Sequence, residues 1–320
     1  MKDQSQAVLY DIPGPRARRI TLISSLVAAV VVLVGAYFLI YLPLERNDQF
    51  TAEKWGPLVD PSNEVFSQVW DRIGFGARMT LTAAVLAILL SLLLGTLLAV
   101  SRLVLRGVRT RRFPDYPAPI GLALRINAAV ANTTNRALIE LFRGLPVVIT
   151  IFFVSKLGPS IGLDLEPLWY LVVGLTIYNM VVIGEIIRSG MDGLPPGQAE
   201  AASALGLSRF QTIRMILLPQ AFKVMLPALI SQLVVVLKDT SLGFLIAYEE
   251  LLNIGKQIIG NLGNPIQVYF VIGVLFITVN YGLSKLAGYV QRRLARGRTT
   301  RQLVAEAPDL TDPGAGAPIL

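Results

Sequence analysis

Long apolar runs separated by polar segments dominate this chain. Six such runs are evident, at residues 20–42, 75–100, 137–157, 168–187, 220–237 and 266–290. A helix needs about 20 mainly apolar residues to cross a hydrocarbon core of roughly 30 Å. All six runs approach or exceed that length. The pattern therefore predicts an all-α polytopic membrane protein with six transmembrane helices.

The polar segments alternate in charge. Residues 1–19, 101–136, 188–219 and 291–320 are basic, whereas residues 43–74 and 157–167 are acidic. Loops rich in Lys and Arg remain on the cytoplasmic side of a membrane. The alternation therefore predicts a multi-pass protein with both termini in the cytoplasm, a cytoplasmic tail at residues 1–19 and an external loop at residues 43–74.

Three segments depart from a simple pattern of spans and loops. The run at 20–42 is longer than the apolar part of a cleaved signal peptide and has no small-residue cleavage site before Leu44, so we expect an uncleaved span. Residues 238–264 are Gly-rich and too polar for a full span, which predicts a short helix or a re-entrant piece. The tail at 291–320 becomes rich in Ala, Pro and Gly and is predicted to be disordered.

Composition narrows the possible chemistry. The chain is 53% hydrophobic, and its net charge of +8 is concentrated in the polar segments without interleaved aromatic residues, which argues against a nucleic-acid partner. It contains no Cys and no His, which excludes disulfides, thiolate metal sites and His-dependent catalysis. It has no GxxxxGK[ST] motif for binding a nucleotide phosphate. We therefore expect neither a cofactor nor a metal, and a protein that is not itself an enzyme.

The basic segment at 198–219 has its own helical pattern. An Ala-rich stretch after Pro195-Pro196-Gly197 predicts a helix, and Gly206 followed by Ser208 predicts a turn and a new N-cap. An apolar stripe then restarts at helical spacing. A helix–turn–helix of this kind suits either a docking surface or an amphipathic connector on the membrane. The pattern alone leaves both interpretations open.

The same segment carries a recognisable motif. Glu200-Ala201-Ala202, then Gly206, then Ile216-Leu217-Leu218-Pro219, is similar to the signature of ABC importer permeases. The flanking residues 190–198, 220–227 and 237–242 and the stretch Glu140–Pro146 resemble the polar amino-acid branch of that family. Leu145 stands where Thr is usual in the branch. Residues 8–19 further resemble glutamate-uptake permeases. The resemblance covers about residues 75–290.

The resemblance implies the permease subunit of an ATP-driven importer of polar amino acids, with glutamate the expected substrate, in a bacterial cell membrane. Residues 75–290 would form the five-helix core of a type I importer, and the helix at 20–42 would be an addition that braces it. Residues 105–128 would be a cytoplasmic insertion. The implied partners are cytoplasmic ABC ATPase subunits, a second permease subunit (identical or related), an extracytoplasmic solute-binding protein and membrane lipid.

In this family the loop at 198–219 is a coupling loop that docks on the ATPase. Glu200 would then be a polar contact to the ATPase, and Gly206 the turn between two coupling helices. The coupling residues implied by the motif are Glu200, Ala201, Ala202, Gly206, Leu207 and Ser208.

Charged and amide residues within or beside the spans are candidates for the substrate pathway, because an amino acid needs partners for both an ammonium and a carboxylate. Charges are costly inside a membrane and tend to face protein or water. The candidates are Asn179, Glu185 and Arg188 on one span, Glu140 and Arg143 on another, and Lys238 and Asp239 at the end of a third. Glu185/Arg188 and Glu140/Arg143 are each spaced to pair on one helix face. Structural ion pairs and interfacial anchoring are the alternatives for these residues.

A secondary transporter driven by an ion gradient is the competing functional class. It would need a buried carboxylate relay and usually internal repeats, and the two halves of this chain show no such repeat.

Overall fold

The computed structural model describes residues 14–110 and 118–305. Within these ranges the regular structure is entirely helical, which confirms the all-α fold class. The α-helices are α1 (Pro15–Ala36), α2 (Leu42–Arg46), α3 (Ala52–Val59), α4 (Phe66–Thr110), α5 (Ala118–Gly144), α6 (Val147–Ser160), α7 (Pro167–Asp192), α8 (Gly197–Ala204), α9 (Arg209–Thr212), α10 (Leu218–Asp239), α11 (Leu251–Leu262) and α12 (Pro265–Ala305). Two single π-turns, Tyr37–Tyr41 and Ile213–Leu217, join α1 to α2 and α9 to α10, and a 3₁₀-helix, Thr240–Ile246, follows α10.

Five helices in the described part of the chain are long and apolar enough to cross a membrane. They are Pro15–Arg46, Phe66–Arg106, Pro167–Asp192, Arg209–Ile246 and Pro265–Arg293. The sixth predicted span, at 137–157, is not one straight helix, because α5 and α6 meet at an angle of 108°. The break falls at Leu145-Pro146, and a residue before proline disfavours helical geometry. The described residues thus provide six spans only if this bent pair is counted as one.

Helix α7 lies at the centre of the fold. It packs against α4, α6 and α10, and its side chains Leu171, Leu175, Ile183 and Ile187 are completely buried. A Cβ atom added at Gly95 of α4 would lie 2.9 Å from the carbonyl oxygen of Met180. Such small residues allow two membrane helices to bring their backbones into contact. The α4–α7 pair is therefore the rigid centre on which the other elements are arranged.

Helix α1 stands apart from this core. In the apolar stretch of the span that begins with α1, no residue is buried against the rest of the chain. The expectation that this helix braces the core is therefore wrong for this chain by itself. Its side chains are apolar all round, as expected for a helix surrounded by hydrocarbon, so nothing draws it onto the core.

The segment at 43–74, predicted to be an external loop, is folded. Trp55 Nε1 donates to the Gln49 carbonyl oxygen at 2.9 Å, and Trp70 Nε1 donates to the Leu58 carbonyl oxygen at 3.1 Å. Asn264 Nδ2 donates to the Lys54 carbonyl oxygen at 3.0 Å, which ties the segment to the start of α12. These bonds fix the segment beside α11 and α12, at the end of the fold where α4 begins.

Two other segments bear on the sequence predictions. Residues 238–264 contain the 3₁₀-helix Thr240–Ile246 and the short helix α11, which confirms the predicted short helical piece. Helix α12 continues to Ala305, so residues 291–305 are helical where a disordered tail was predicted. Gln, Arg, Leu and Ala are good helix formers and extend the preceding span. Residues 1–13, 111–117 and 306–320, which include most of the polar N-terminus and part of the predicted insertion, lie outside the described residues.

Candidate functional site

The segment 198–219 folds as helix, glycine turn and helix, as its pattern predicts. Helix α8 ends in a Schellman motif, in which the Leu207 N–H bonds the Ala202 carbonyl oxygen at 3.1 Å and the Gly206 N–H bonds the Ser203 carbonyl oxygen at 3.0 Å. Gly206 has φ +77°, which a glycine adopts without a Cβ clash. Ser208 then caps α9, with reciprocal bonds to Gln211 of 3.3 Å and 2.8 Å. Local chemistry therefore determines the shape of this coupling loop, defined as residues 198–219.

Three contacts attach the coupling loop to the membrane helices. Arg209 Nε donates to the Leu103 carbonyl oxygen of α4 at 2.9 Å. Gln198 Nε2 donates to Gln220 Oε1 at 3.0 Å, and Gln220 Nε2 donates to Gln198 Oε1 at 2.8 Å. Ile213 is also buried in an apolar cluster that includes Leu103 of α4 and Ile187 of α7. The coupling loop is therefore held at the end of α4 that contains Leu103.

The outer surface of the coupling loop exposes both apolar and charged groups. Leu205 is 81% exposed and Phe210 is 51% exposed, and Glu200 and Ala201 also face outwards. Ala202, in contrast, is 1% exposed and faces the rest of the chain. Large apolar side chains exposed on the same helix–turn–helix as a carboxylate are typical of a surface that contacts another protein.

A chain of ion pairs lies near the coupling loop and joins α4 to α7. Arg102 of α4 pairs with Glu185 of α7. The other oxygen of Glu185 accepts from Arg188 Nη2 at 2.9 Å, and Arg188 also pairs with Asp192. Asp192 lies 3.5 Å from Arg106 Nη1. The predicted Glu185–Arg188 pair is confirmed, and it belongs to a structural network whose inner members, Arg102 and Glu185, have side chains only 13% and 22% exposed.

Asn179 is fully buried at the contact between α7 and α10. Its Nδ2 donates to the Leu175 carbonyl oxygen at 2.8 Å. Its Oδ1 accepts a bond from Gln232 Nε2 of α10, also at 2.8 Å. Asn179 therefore forms an interhelical amide pair. It lies between one and two helical turns before Glu185 on α7 and is not part of the ion-pair network.

The predicted pairing of Glu140 with Arg143 is wrong, because Glu140 pairs with a different arginine. Glu140 Oε1 accepts from Arg136 Nε at 2.8 Å, one turn earlier on α5, because the i, i+4 spacing places those groups side by side. Arg143 is exposed and makes no ion pair within the described residues. It lies directly before the bend that separates α5 from α6.

Lys238 and Asp239 occupy the predicted break at the end of α10. Lys238 is exposed and Asp239 is half-buried. The 3₁₀-helix that follows starts at Thr240. These two residues are therefore placed as expected, at the opposite end of the fold from the coupling loop, and the structure does not bring them near the Glu185 network.

Several polar partners were not predicted from the sequence. Arg102 is 83 positions from Glu185, and Gln232 is 53 positions from Asn179, so no local spacing links them. Glu250 is completely buried as the N-cap of α11, where its oxygens accept from the Leu252 and Asn253 N–H groups at 2.8 Å and 2.7 Å. Its location directly before the apolar stripe that begins at Leu251, in a sequence with few internal acids, is the signal that could have identified it.

Comparison with known proteins places the chain in a family. Residues 116–296, more than half of the chain, match the family model described as the binding-protein-dependent transport system inner membrane component. The chain is a membrane permease of the ABC importer class and belongs to this family.

Two curated relatives agree with that assignment. The glutamate transport system permease protein GluD of Corynebacterium glutamicum is 38% identical over 85% of this chain and 90% of its own length. The probable glutamine ABC transporter permease protein GlnP of Bacillus subtilis is 32% identical over 72% of this chain and 96% of its own length.

The fold also matches a solved structure. The crystal structure of an amino acid ABC transporter with histidines has a TM-score of 0.57 and 24% identity, and covers 71% of this chain and 96% of that chain. This likeness supports the importer-permease fold.

Proposed function

We propose that the protein is the permease subunit of an ATP-driven, binding-protein-dependent importer of polar amino acids, with glutamate as its substrate. The observation that carries the proposal is the coupling loop, which is a rigid, outward-facing helix–turn–helix anchored at the basic end of the fold. The glutamate assignment is supported by the relative from Corynebacterium glutamicum, a glutamate transport system permease by name. Residues 75–290 form the importer core, and α1 is an addition to it.

The coupling loop transmits movement of a cytoplasmic ATPase to the membrane helices. Glu200, Ala201 and Leu205 form its exposed docking surface, while the turn at Gly206 and the cap at Ser208 keep that surface rigid. Ala202 and Leu207 face inwards. The 3.1 Å backbone hydrogen bond between them closes the turn that follows α8. A force on the loop then reaches α4 through Arg209 and α10 through the Gln198–Gln220 pair.

The substrate pathway follows α7 and α10. The Asn179–Gln232 amide pair lies between these two helices, and a shift of one helix past the other would expose both amides to a passing solute. Lys238 and Asp239 offer both charges for an amino acid at the opposite end, whereas the exposed Arg143 is assigned to interfacial anchoring. Glu185 and Arg188 are already paired with each other and with α4, so their role is to hold α7 on α4 while the pathway opens.

The external segment is the platform for the solute-binding protein. Its six acidic residues are all exposed, and within the described residues none forms a salt bridge; they are Glu45, Asp48, Glu53, Asp60, Glu64 and Asp71. A surface of this charge complements a basic patch on a partner and steers its approach.

This arrangement requires both termini in the cytoplasm, in agreement with the basic segments at 101–136 and 188–219. A second permease subunit completes the pathway.

Charge reversal at Glu200 tests the docking role. The chain would be reconstituted in proteoliposomes with its ATPase subunits and binding protein, and both ATP hydrolysis and glutamate uptake would be measured. Glu200→Lys should lower uptake per ATP hydrolysed at least about tenfold, because a lysine replaces the acid in the contact. Glu200→Gln is the matched variant and should lose less. Normal uptake by Glu200→Lys would refute the docking role, and competition by glutamine, aspartate and arginine would rank the substrates.

A further inference from the structure

Helix α5 carries a row of cationic side chains along one line. Arg125, Arg136 and Arg143 are separated by 11 and 7 residues, which is about three and two helical turns. All three side chains are exposed. The one acid of α5, Glu140, pairs with Arg136 at 2.8 Å. Arg125 and Arg143 make no ion pair within the described residues, so two guanidinium groups of the row remain available for an anion.

Apolar side chains run beside this row. Leu122, Ile126 and Val130 follow one another at intervals of four residues and are 57%, 53% and 59% exposed. Four-residue spacing places them on one face of the helix. A helix with an exposed apolar stripe next to an exposed cationic row is typical of a helix that lies in the interface of a membrane.

The bend after α5 supports this placement. Helix α6 packs against α7, which is a span, and α5 leaves α6 at 108°. By itself α5 is not among the helices apolar enough to cross a membrane. Because α5 runs crosswise to a membrane helix and is amphipathic, it lies more along the membrane surface than through the membrane.

The contacts of α5 identify the end of the fold at which it lies. Leu138 and Phe142 of α5 share a cavity of about 400 Å³ with Leu98 of α4 and with Met180 and Val181 of α7. Leu98 is little more than one turn from Leu103, whose carbonyl oxygen binds Arg209 of the coupling loop. The C-terminal part of α5 therefore lies in the half of the fold that holds the coupling loop, which the proposed function places in the cytoplasm.

We propose that α5 is an interfacial helix whose Arg125 and Arg143, the two guanidinium groups of the row without an ion pair, bind the phosphate groups of anionic phospholipids in the cytoplasmic leaflet. A guanidinium group presents paired donors that match phosphate oxygens, and it keeps its charge at any cellular pH. The apolar stripe inserts among the acyl chains below the headgroups. Only the assignment to the cytoplasmic leaflet rests on the proposed function; the headgroup site itself rests on the residues of α5.

Native mass spectrometry of the purified full-length chain with phosphatidylglycerol and phosphatidylcholine of equal chain length would test this site. The wild type should retain phosphatidylglycerol preferentially. Arg125→Gln/Arg143→Gln should weaken phosphatidylglycerol binding roughly 30-fold and leave phosphatidylcholine binding unchanged, because each basic residue near an anionic surface contributes about fivefold. Arg125→Lys/Arg143→Lys should retain most of the binding.

The control removes two charges at the opposite end of the fold. Arg78 and Lys156 are both exposed and pack over Phe75 and Phe152, and Arg78→Gln/Lys156→Gln should retain phosphatidylglycerol as the wild type does. Unchanged binding by the α5 variant, or an equal loss in the control, would overturn the proposal. So would loss of ATPase association with lipid binding intact, which would make the row a protein contact.

Should the α5 variant fail to fold, salt titration of the wild type provides the test. Raising the salt from about 0.05 to 0.5 M should release phosphatidylglycerol but not phosphatidylcholine, because screening weakens exposed charge pairs. Release that is insensitive to salt contradicts a headgroup site. None of these measurements depends on transport, so they can fail independently of the proposed function.

Discussion

Gln198 and Gln220 exchange two hydrogen bonds, of 3.0 Å and 2.8 Å, between the first turn of α8 and the start of α10. Gln220 Nε2 also donates to the Ile216 carbonyl oxygen at 3.0 Å, across the π-turn. The side chains thus close the base of the coupling loop. A movement imposed on α8 reaches α10 through this pair and not only through the intervening chain.

Breaking the pair should loosen the coupling loop. Two neutral hydrogen bonds contribute about 1–2 kcal/mol together, so the two single Ala variants should be non-additive by about that amount. Hydrogen exchange of the α8 amides should then be roughly 5- to 30-fold faster in Gln198→Ala and in Gln220→Ala. Exchange in the double variant should be little faster than in either single variant. Fully additive effects on exchange would show that the pair does not act as a unit.

Substitution of Gly206 should distort the turn between α8 and α9. A φ of +77° is strained for any residue with a Cβ atom, at a cost of about 1 kcal/mol or more. Gly206→Ala should therefore lower the protection of residues 197–212 in hydrogen exchange and reduce the number of solutes imported per ATP. Gly206→Asn should be milder, since Asn tolerates this conformation. Gly197→Ala is the control, because an added Cβ there meets nothing within 4 Å.

Removal of the Glu185 charge should destabilise the α4–α7 pair. Its carboxylate lies between the guanidinium groups of Arg102 and Arg188, and its loss leaves two partly buried like charges together. Glu185→Gln should cost about 3 kcal/mol, seen as a lower midpoint of thermal unfolding in detergent. Glu140→Gln removes an exposed pair and should cost less than about 1 kcal/mol. Equal effects in the two variants would contradict the proposed role of the network.

The stability of α11 should depend on pH through Glu250, which lies between the spans ending at Ile246 and beginning at Pro265. Burial raises the pKa of Glu250 to about 7, although its two backbone hydrogen bonds oppose that shift. A raised carboxyl pKa favours the protonated folded state, so this stabilisation is present below about pH 4.5 and is lost as pH rises through about 7. Exchange of the α11 amides, corrected for intrinsic rates, should therefore accelerate between pH 5 and 8. Glu250→Gln, which stays neutral, should show a flat profile; a slope equal to the wild type would assign the effect to another group.

The features that could be predicted from sequence are those that local chemistry determines. Gly206 and Ser208 define the turn and the cap of the coupling loop, because a left-handed residue and an N-cap depend on neighbours within a few positions. The apolar runs predicted five of the helices for the same reason. Hydropathy predicts one span at 137–157 and not the break before Pro146, because it averages over a window and ignores the backbone restriction that proline imposes.

Long-range pairing could not be predicted in this way. Glu185 was expected to pair with Arg188, which the helix period brings close. Arg102 joins the same carboxylate only because α4 and α7 come into contact, and that contact depends on glycines at positions 95 and 184. Asn179 was selected for its chemistry, but its partner Gln232 follows from the packing of α10 on α7.

The central claim is that ATP hydrolysis by a separate subunit, acting through the coupling loop, drives solute import. The direct test is glutamate uptake by proteoliposomes that contain this chain, its ATPase subunits and its binding protein. The account predicts uptake that requires ATP, persists when proton and sodium gradients are dissipated and is lost when the ATPase is omitted. Uptake that continues without ATP and follows an imposed ion gradient would contradict it.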